Sequence, residues 1–140
     1  RDLRIGPDLV LDIVYPLPGQ SFLGKEVKSA NNTSVVTRLR RWSGGRWENL
    51  ILLTGDAEEP QELEVLLAGQ DIAAQTLKVG HHGSRTSTTD GFLNAVTPKT
   101  AVISAGRNNK FGHPHAEVLE RVRNLEVNRT DKEGTLHITF

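Results

Sequence analysis

The 140 residues carry 17 Lys+Arg against 17 Asp+Glu, a formal net charge of zero, with 36% hydrophobic and 24% charged positions. That is ordinary globular composition at single-domain size, enough to bury a core without disulfides, and the balanced charge gives no global electrostatic case for nucleic acid or an anionic membrane. The absence of cysteine excludes disulfides, thiolate nucleophiles and Cys-type zinc sites, and no apolar run approaches the roughly 18 residues of a bilayer span.

Residues Leu9–Tyr15 (LVLDIVY) predict a strand, ended by Pro16, Pro18 and Gly19. Residues 20–33 read as a polar loop with a turn at Asn31-Asn32. A hairpin follows: residues 34–42 (SVVTRLRRW), a Ser43-Gly44-Gly45 turn, and residues 47–54 (WENLILLT) returning. Trp42 and Trp47 then pair across it, and Arg38, Arg40 and Arg41 form a solvated strand face. The wholly apolar residues 50–53 predict burial on both faces. Residues 60–69 predict a helix, with Pro60 at its start, acidic first turns and Gly69 at its end. Then come a strand at 77–79, a helix at 90–96 ended before Pro98, and a strand at 100–105. A helix at 114–124 places Val118, Leu119 and Val122 on one side. The tail predicts strands at 125–130 and 135–140, joined by an Asp131-Lys132-Glu133-Gly134 turn. This order predicts a layered α/β arrangement with at least one sheet covered by helices.

Polar residues follow apolar strands at once in three places. The first is Leu52-Leu53-Thr54-Gly55-Asp56, and the second is Leu77-Lys78-Val79-Gly80-His81-His82-Gly83-Ser84. The third runs from Ile103-Ser104-Ala105-Gly106 to Phe111-Gly112-His113-Pro114-His115. Layered α/β folds build sites where strand ends converge. Imidazole and carboxylate together suit zinc, manganese or iron. Asp56 offers a carboxylate that can bridge two metals, and the adjacent His81 and His82 must diverge. Gly55, Gly80, Gly83 and Gly112 allow close backbone approach. Ser84, Thr86, Ser87, Thr88 and Thr89 bring hydroxyls to the start of the helix at Asp90, where free N–H groups attract an anion. Blander readings exist for each. Asp56 serves equally as a turn residue or helix cap, the Ser/Thr run as a capping loop, His115 as a solvent-facing helix residue and His137 as a structural strand residue.

The joint order of LLTGD, LKVGHHGSRTS and NKFGHPH resembles the carboxy-terminal domain of the ComEC DNA-internalisation competence proteins, within the metallo-β-lactamase superfamily. Asn32-Thr33-Ser34-Val35-Val36 and Arg129-Thr130-Asp131 with Gly134 fit the same pattern, and the resemblance runs from about Leu9 onward. It implies a metallo-β-lactamase-like layered α/β sandwich, here the C-terminal half with a mixed sheet and flanking helices. It also implies two metal ions, zinc or manganese, whose first ligands come from an HxHxDH motif and whose bridging Asp and last His come later in the chain. Asp56 matches the bridging Asp, and the His81-His82 pair contains the last ligand. His82 is assigned as the metal ligand and His81 as a substrate contact. His113 matches a histidine that contacts phosphate or donates a proton, and Ser84 is grouped with these catalytic residues.

The chain has no HxHxDH, no histidine before His81 and no methionine. The expectation is one partial domain over residues 1–140, cut from a longer bacterial inner-membrane protein and lying on its extracytoplasmic side. Its implied partners are single- or double-stranded DNA and the rest of the same polypeptide, including a transmembrane channel. Exposed apolar surface would also favour self-association. The intact protein is expected to be a metal-dependent nuclease. Two or three ligands fall short of the three protein ligands per metal that a two-ion site needs, so this piece alone is expected to be inactive. The alternatives are a non-catalytic module that guides DNA or packs on the channel, and a hydrolase of another phosphoester.

Overall fold

A computed structural model describes residues 2–20, 22 and 29–140. Part of the loop expected over residues 20–33, at 21 and 23–28, lies outside the described residues; Ala30–Thr33 forms one tight 3-10 turn. The strands are β1 (Asp2–Arg4), β2 (Leu9–Tyr15), β3 (Val36–Ser43), β4 (Arg46–Leu53), β5 (Thr76–Lys78), β6 (Thr100–Ile103) and β7 (Glu126–Arg129). The helices are α1 (Glu59–Leu67), α2 (Asp90–Val96), α3 (Ala116–Arg121) and α4 (Thr130–Glu133).

The seven strands form one mixed sheet in sequential order. β1 to β4 pair antiparallel, with short connections between β1 and β2 and between β3 and β4, and a long one between β2 and β3. Gly44 and Gly45 make the β3–β4 reversal, both at positive φ (58° and 80°), which suits the twist of a tight hairpin. From β4 to β7 the strands run parallel, with α1, α2 and α3 in the crossovers. Cross-strand register puts Leu52, Leu77 and Ala101 on one face. Val65 of α1 and Phe92 and Val96 of α2 pack there with Val14, Val36, Leu52 and Leu77, while Val118 and Val122 pack with Val79, Ala101 and Ile103. The three helices therefore share one face of the sheet. The other carries Leu11, Leu39, Ile51, Thr76 and Thr100 in register.

The structure corrects several expectations. Leu50, Ile51 and Leu52 are buried, but Leu53, the last residue of β4, is 37% exposed. Residues 135–140 are not a strand; they run past Thr76, Thr100 and Leu39, with the Phe140 carbonyl accepting from Arg41 Nη1 at 3.0 Å. The expected turn at 131–134 is instead the short helix α4, and the tail after it lies beside Glu126 and Asn128 of β7 without pairing as a strand. His137 is accordingly exposed and outside any strand. The helix expected from Pro114 begins at Ala116, and the strand expected to reach residue 105 ends at Ile103. β1 was not anticipated. Trp42 and Trp47 do face each other across the hairpin, edge to face at 5.4 Å.

The arginines are the larger correction. Arg38 is 7% exposed and Asp12, its cross-strand neighbour, 8%. Arg38 Nη2 and Nε lie 3.1 and 3.3 Å from Asp12 Oδ2, and Arg40 Nη2 donates to Oδ1 at 3.0 Å. Arg38 also donates to the Asp71 carbonyl at 2.8 Å. Arg41 pairs with Glu48 at 2.9 Å. These guanidiniums tie β2, β3 and the α1–β5 connection together and are not a solvated face. Removing the shared carboxylate strands buried positive charge, so Asp12→Ala is expected to destabilise the fold by about 3–5 kcal/mol. Urea unfolding checks this, and an unshifted midpoint would contradict it.

Candidate functional site

The parallel strands β4, β5 and β6 bring their C-terminal ends side by side, so the three polar loops read from the sequence meet there. Thr54 Oγ1 donates to the Lys78 carbonyl at 2.7 Å, and Lys78 Nζ and His81 N donate to the Gly55 carbonyl at 2.9 and 3.1 Å. Burial holds the Lys78 ammonium below its ordinary pKa, against the opposing pull of Asp56. Asp56 does not cap α1: Glu58 does, in a reciprocal capping box with Gln61.

His81 and His82 both adopt left-handed backbone angles, φ 44° and 56°. Such angles cost a non-glycine residue about 1–2 kcal/mol each, and two in succession need strong anchoring. The anchors are on both sides. Upstream is the His81 N–H bond to Gly55. Downstream, Gly83 sits at φ 87° against Pro114, and its carbonyl accepts from His115 N at 2.9 Å. Two further bonds close the loop: Ser87 Oγ donates to the Gly80 carbonyl at 2.7 Å, and Gly80 N donates to Thr88 Oγ1 at 3.1 Å. Behind it, the buried Glu62 accepts from Thr88 N, Thr89 N and Thr89 Oγ1 at 2.5, 2.9 and 2.8 Å. Burial raises the Glu62 pKa, although those donors pull the other way.

The strained turn splays the two rings. His82 Nδ1 lies 2.7 Å from the Ser104 carbonyl and therefore donates to it, leaving Nε2 3.4 Å from Asp56 Oδ1. His81 Nδ1 lies 3.1 Å from Glu58 Oε1. Glu58 also accepts from Thr86 Oγ1 at 2.6 Å, and the Asn31 amide lies 3.5 Å from the same His81 nitrogen. Burial opposes ionisation of Glu58, but the Thr86 and His81 bonds outweigh it and hold its carboxyl below the usual range. His113 completes a triangle of rings, 5.5 Å from His81 and 6.4 Å from His82. Burial and the imidazoles of His115, His81 and His82 keep its pKa below the ordinary histidine value.

No family model matches this chain. It is 43% identical to ComE operon protein 3 of Bacillus subtilis over 114 residues, which is 80% of this chain and 14% of that protein. It is 40% identical to Recombination protein 2 of Haemophilus influenzae over 95 residues, 66% of this chain and 12% of that protein. It is 39% identical to Competence protein ComA of Neisseria gonorrhoeae over 114 residues, 79% of this chain and 16% of that protein. The chain thus spans about a seventh of the length of these relatives. No described helix is long and apolar enough to cross a membrane.

Of the residues singled out in the sequence, Asp56, His81, His82 and His113 meet in one cluster. Ser84 does not face it: the residue is 6% exposed and its hydroxyl bonds Thr86 Oγ1 at 2.9 Å, within the loop. His115 is no solvent-facing helix residue. It precedes α3, its ring lies 4.8 Å from His113, and its Nδ1 accepts from Arg85 N at 3.0 Å. Glu58, Asn31 and Lys78 were missed; only Glu58, two residues after Asp56, carried any signal. Among the described residues no three His, Asp or Glu side chains converge as a metal-ligand set.

A Cβ at Gly83 would lie 2.5 Å from Pro114 Cβ and 3.0 Å from its Cα. Gly83→Ala is therefore expected to force the two histidine loops apart and cost about 3 kcal/mol of stability. Urea unfolding, with NMR shifts of the His82 and His113 rings, reads both effects; unmoved ring signals would refute the contact.

Proposed function

We propose that this chain supplies the Asp56 and His82 ligands of a two-metal phosphodiesterase site in a DNA-processing competence protein, with a metallo-β-lactamase-like fold. The observation that carries this is the orientation of His82. A ring nitrogen that donates to a backbone carbonyl, with the other nitrogen aimed at a carboxylate, is how a metal-ligating histidine is held. The names of the relatives, one for competence and one for recombination, support the biological setting.

The residues present fit part of such a centre. Asp56 and His82 offer two donors, and further donors would come from a segment carrying the HxHxDH motif. That segment would pack on the face of the sheet that carries Leu11, Leu39 and Ile51. Until then the same face favours self-association. When bound, zinc or manganese would supply an activated water and neutralise phosphodiester charge. His82 is kept in register by the Ser104 carbonyl, and His81 is turned by Glu58 towards the substrate side. His113, neutral at pH 7 by virtue of its lowered pKa, presents an imidazole N–H to a phosphate oxygen or relays a proton to the leaving group. Ser84 braces the loop. The same reading puts the domain on an extracytoplasmic face of a membrane protein, with DNA as substrate.

Two experiments test this. Calorimetric titration of Zn²⁺ or Mn²⁺ into the chain should give weak binding that Asp56→Ala abolishes; a sub-micromolar, two-equivalent isotherm would show a complete site and defeat the shared-centre reading. In the longer polypeptide, His82→Ala should lower metal-dependent cleavage of single-stranded DNA by at least about 100-fold. Undiminished cleavage would leave a DNA-guiding or channel-packing role instead.

A further inference from the structure

The loop between β6 and α3 contains one feature that the metal reading does not use. Phe111 is 64% exposed, yet the loop that presents it is well fixed. Asn109 holds the loop at both ends: its Nδ2 donates to the Gly106 and His113 carbonyls at 2.8 and 2.7 Å, and its Oδ1 accepts from His113 N at 2.9 Å. The Phe111 ring stacks on His113, with centroids 5.7 Å apart and planes 23° apart. Lys110 Nζ sits 5.2 Å from the Phe111 centroid. Beside this pair opens a cavity of about 200 Å³, lined by His82, Ala105, Gly106, Asn109, Phe111 and His113.

The Phe111 ring, 64% exposed on a fixed loop, leaves most of its surface in water, with contacts to His113 and Lys110. Its surroundings are specific: a flat aromatic ring, a flexible cation lying over it, and a shallow cleft that shares His82 and His113 with the candidate centre. A flat ring with a phosphate attached matches all three. The base takes the place of the Lys110 ammonium over Phe111, Lys110 swings to the adjoining anion, and the phosphate falls towards His113 and His82. Stacking on an aromatic side chain is indifferent to base identity, because every base has a π-face.

We propose that Phe111 is a nucleobase platform, seating the base of the nucleotide whose phosphate lies at the histidine cluster. This rests on the phosphodiesterase reading and deepens it: the substrate class becomes single-stranded nucleic acid with exposed bases, since a paired base has no free face to offer. Asn109 is then a positioning residue that holds the platform in place.

The test uses the full chain without added metal. Fluorescence anisotropy compares a short single-stranded oligodeoxynucleotide with an abasic strand of the same length. The unmodified chain should bind the base-bearing strand about tenfold more tightly. Phe111→Ala should erase that ratio, and Phe111→Trp should preserve it. The exposure of Phe111 makes misfolding of either variant a minor concern, and an amide NMR spectrum checks it. Equal binding of the two strands by the unmodified chain overturns the platform and leaves phosphate recognition standing. Binding of neither strand also overturns the platform, while the phosphodiesterase reading stands or falls separately on the His82→Ala cleavage experiment. A Phe111→Ala variant that keeps the base preference, or that changes only the sedimentation of the chain, also overturns the platform, the latter assigning the ring to a protein contact.

Discussion

The close approach of Gly83 to Pro114 is the contact on which the site depends. Parallel pairing of β4, β5 and β6 brings three loops to one edge, but pairing alone leaves each loop free to choose its own shape. The His81-His82 turn is a poor shape for L-residues, with both φ angles positive. It persists because the chain on either side is fixed, by the His81 bond to Gly55 before it and by Gly83 packed on Pro114 after it. The strain is what splays the rings. In an extended strand, adjacent side chains would point to opposite faces, and one histidine would be lost to the cluster. In the left-handed turn both stay near His113, one turned to Asp56 and the other to Glu58.

Buried charge serves this arrangement at a distance. Glu62 reaches from α1 to the first residues of α2 and holds the Thr88-Thr89 backbone, so the helix face and the histidine loop move as a unit. On the opposite side of the core, Asp12 and its arginines lock β2 to β3 and to the chain entering β5. Both devices stake much on complete pairing, since a lone buried charge costs far more than a satisfied one returns. They make the scaffold rigid while the cluster itself stays half-exposed, with the His82 and Asp56 side chains 46% and 40% accessible.

Much of this was legible in the sequence because it rests on local rules. β2 and α2 follow from apolar runs bounded by Pro, Gly and a capping threonine, and the three polar loops announce themselves by ending apolar strands. What escaped depends on non-local pairing. Nothing near Arg38 says that Asp12 lies opposite it, so a run of arginines in a strand reads as solvated. Residues 135–140 alternate like a strand, but alternation cannot supply a neighbouring edge, and the tail crosses the sheet without pairing. Glu58 looked like one more acid at a helix start. Its link to His81 spans 23 positions and exists only because β4 and β5 are adjacent and parallel.

The cluster has an uneven chemistry that follows from its construction. Its donors come from one edge of one sheet, and a single edge offers few directions from which to surround an ion. Asp56 and His82 face each other, whereas His81 Nδ1 is already engaged by Glu58 and the His113 ring packs on Phe111 with its nitrogens clear of that stack. A tight metal shell needs ligands approaching from several sides. On the two-metal reading, two loops of one layer would reach an ion from one side, and further donors would have to approach from another. The face that carries Leu11, Leu39, Ile51 and Leu53 is covered in part by the tail that runs past Leu39, Thr76 and Thr100, and Leu53 at its end is 37% exposed. A segment that supplied those donors from that side would bury this apolar edge at the same time.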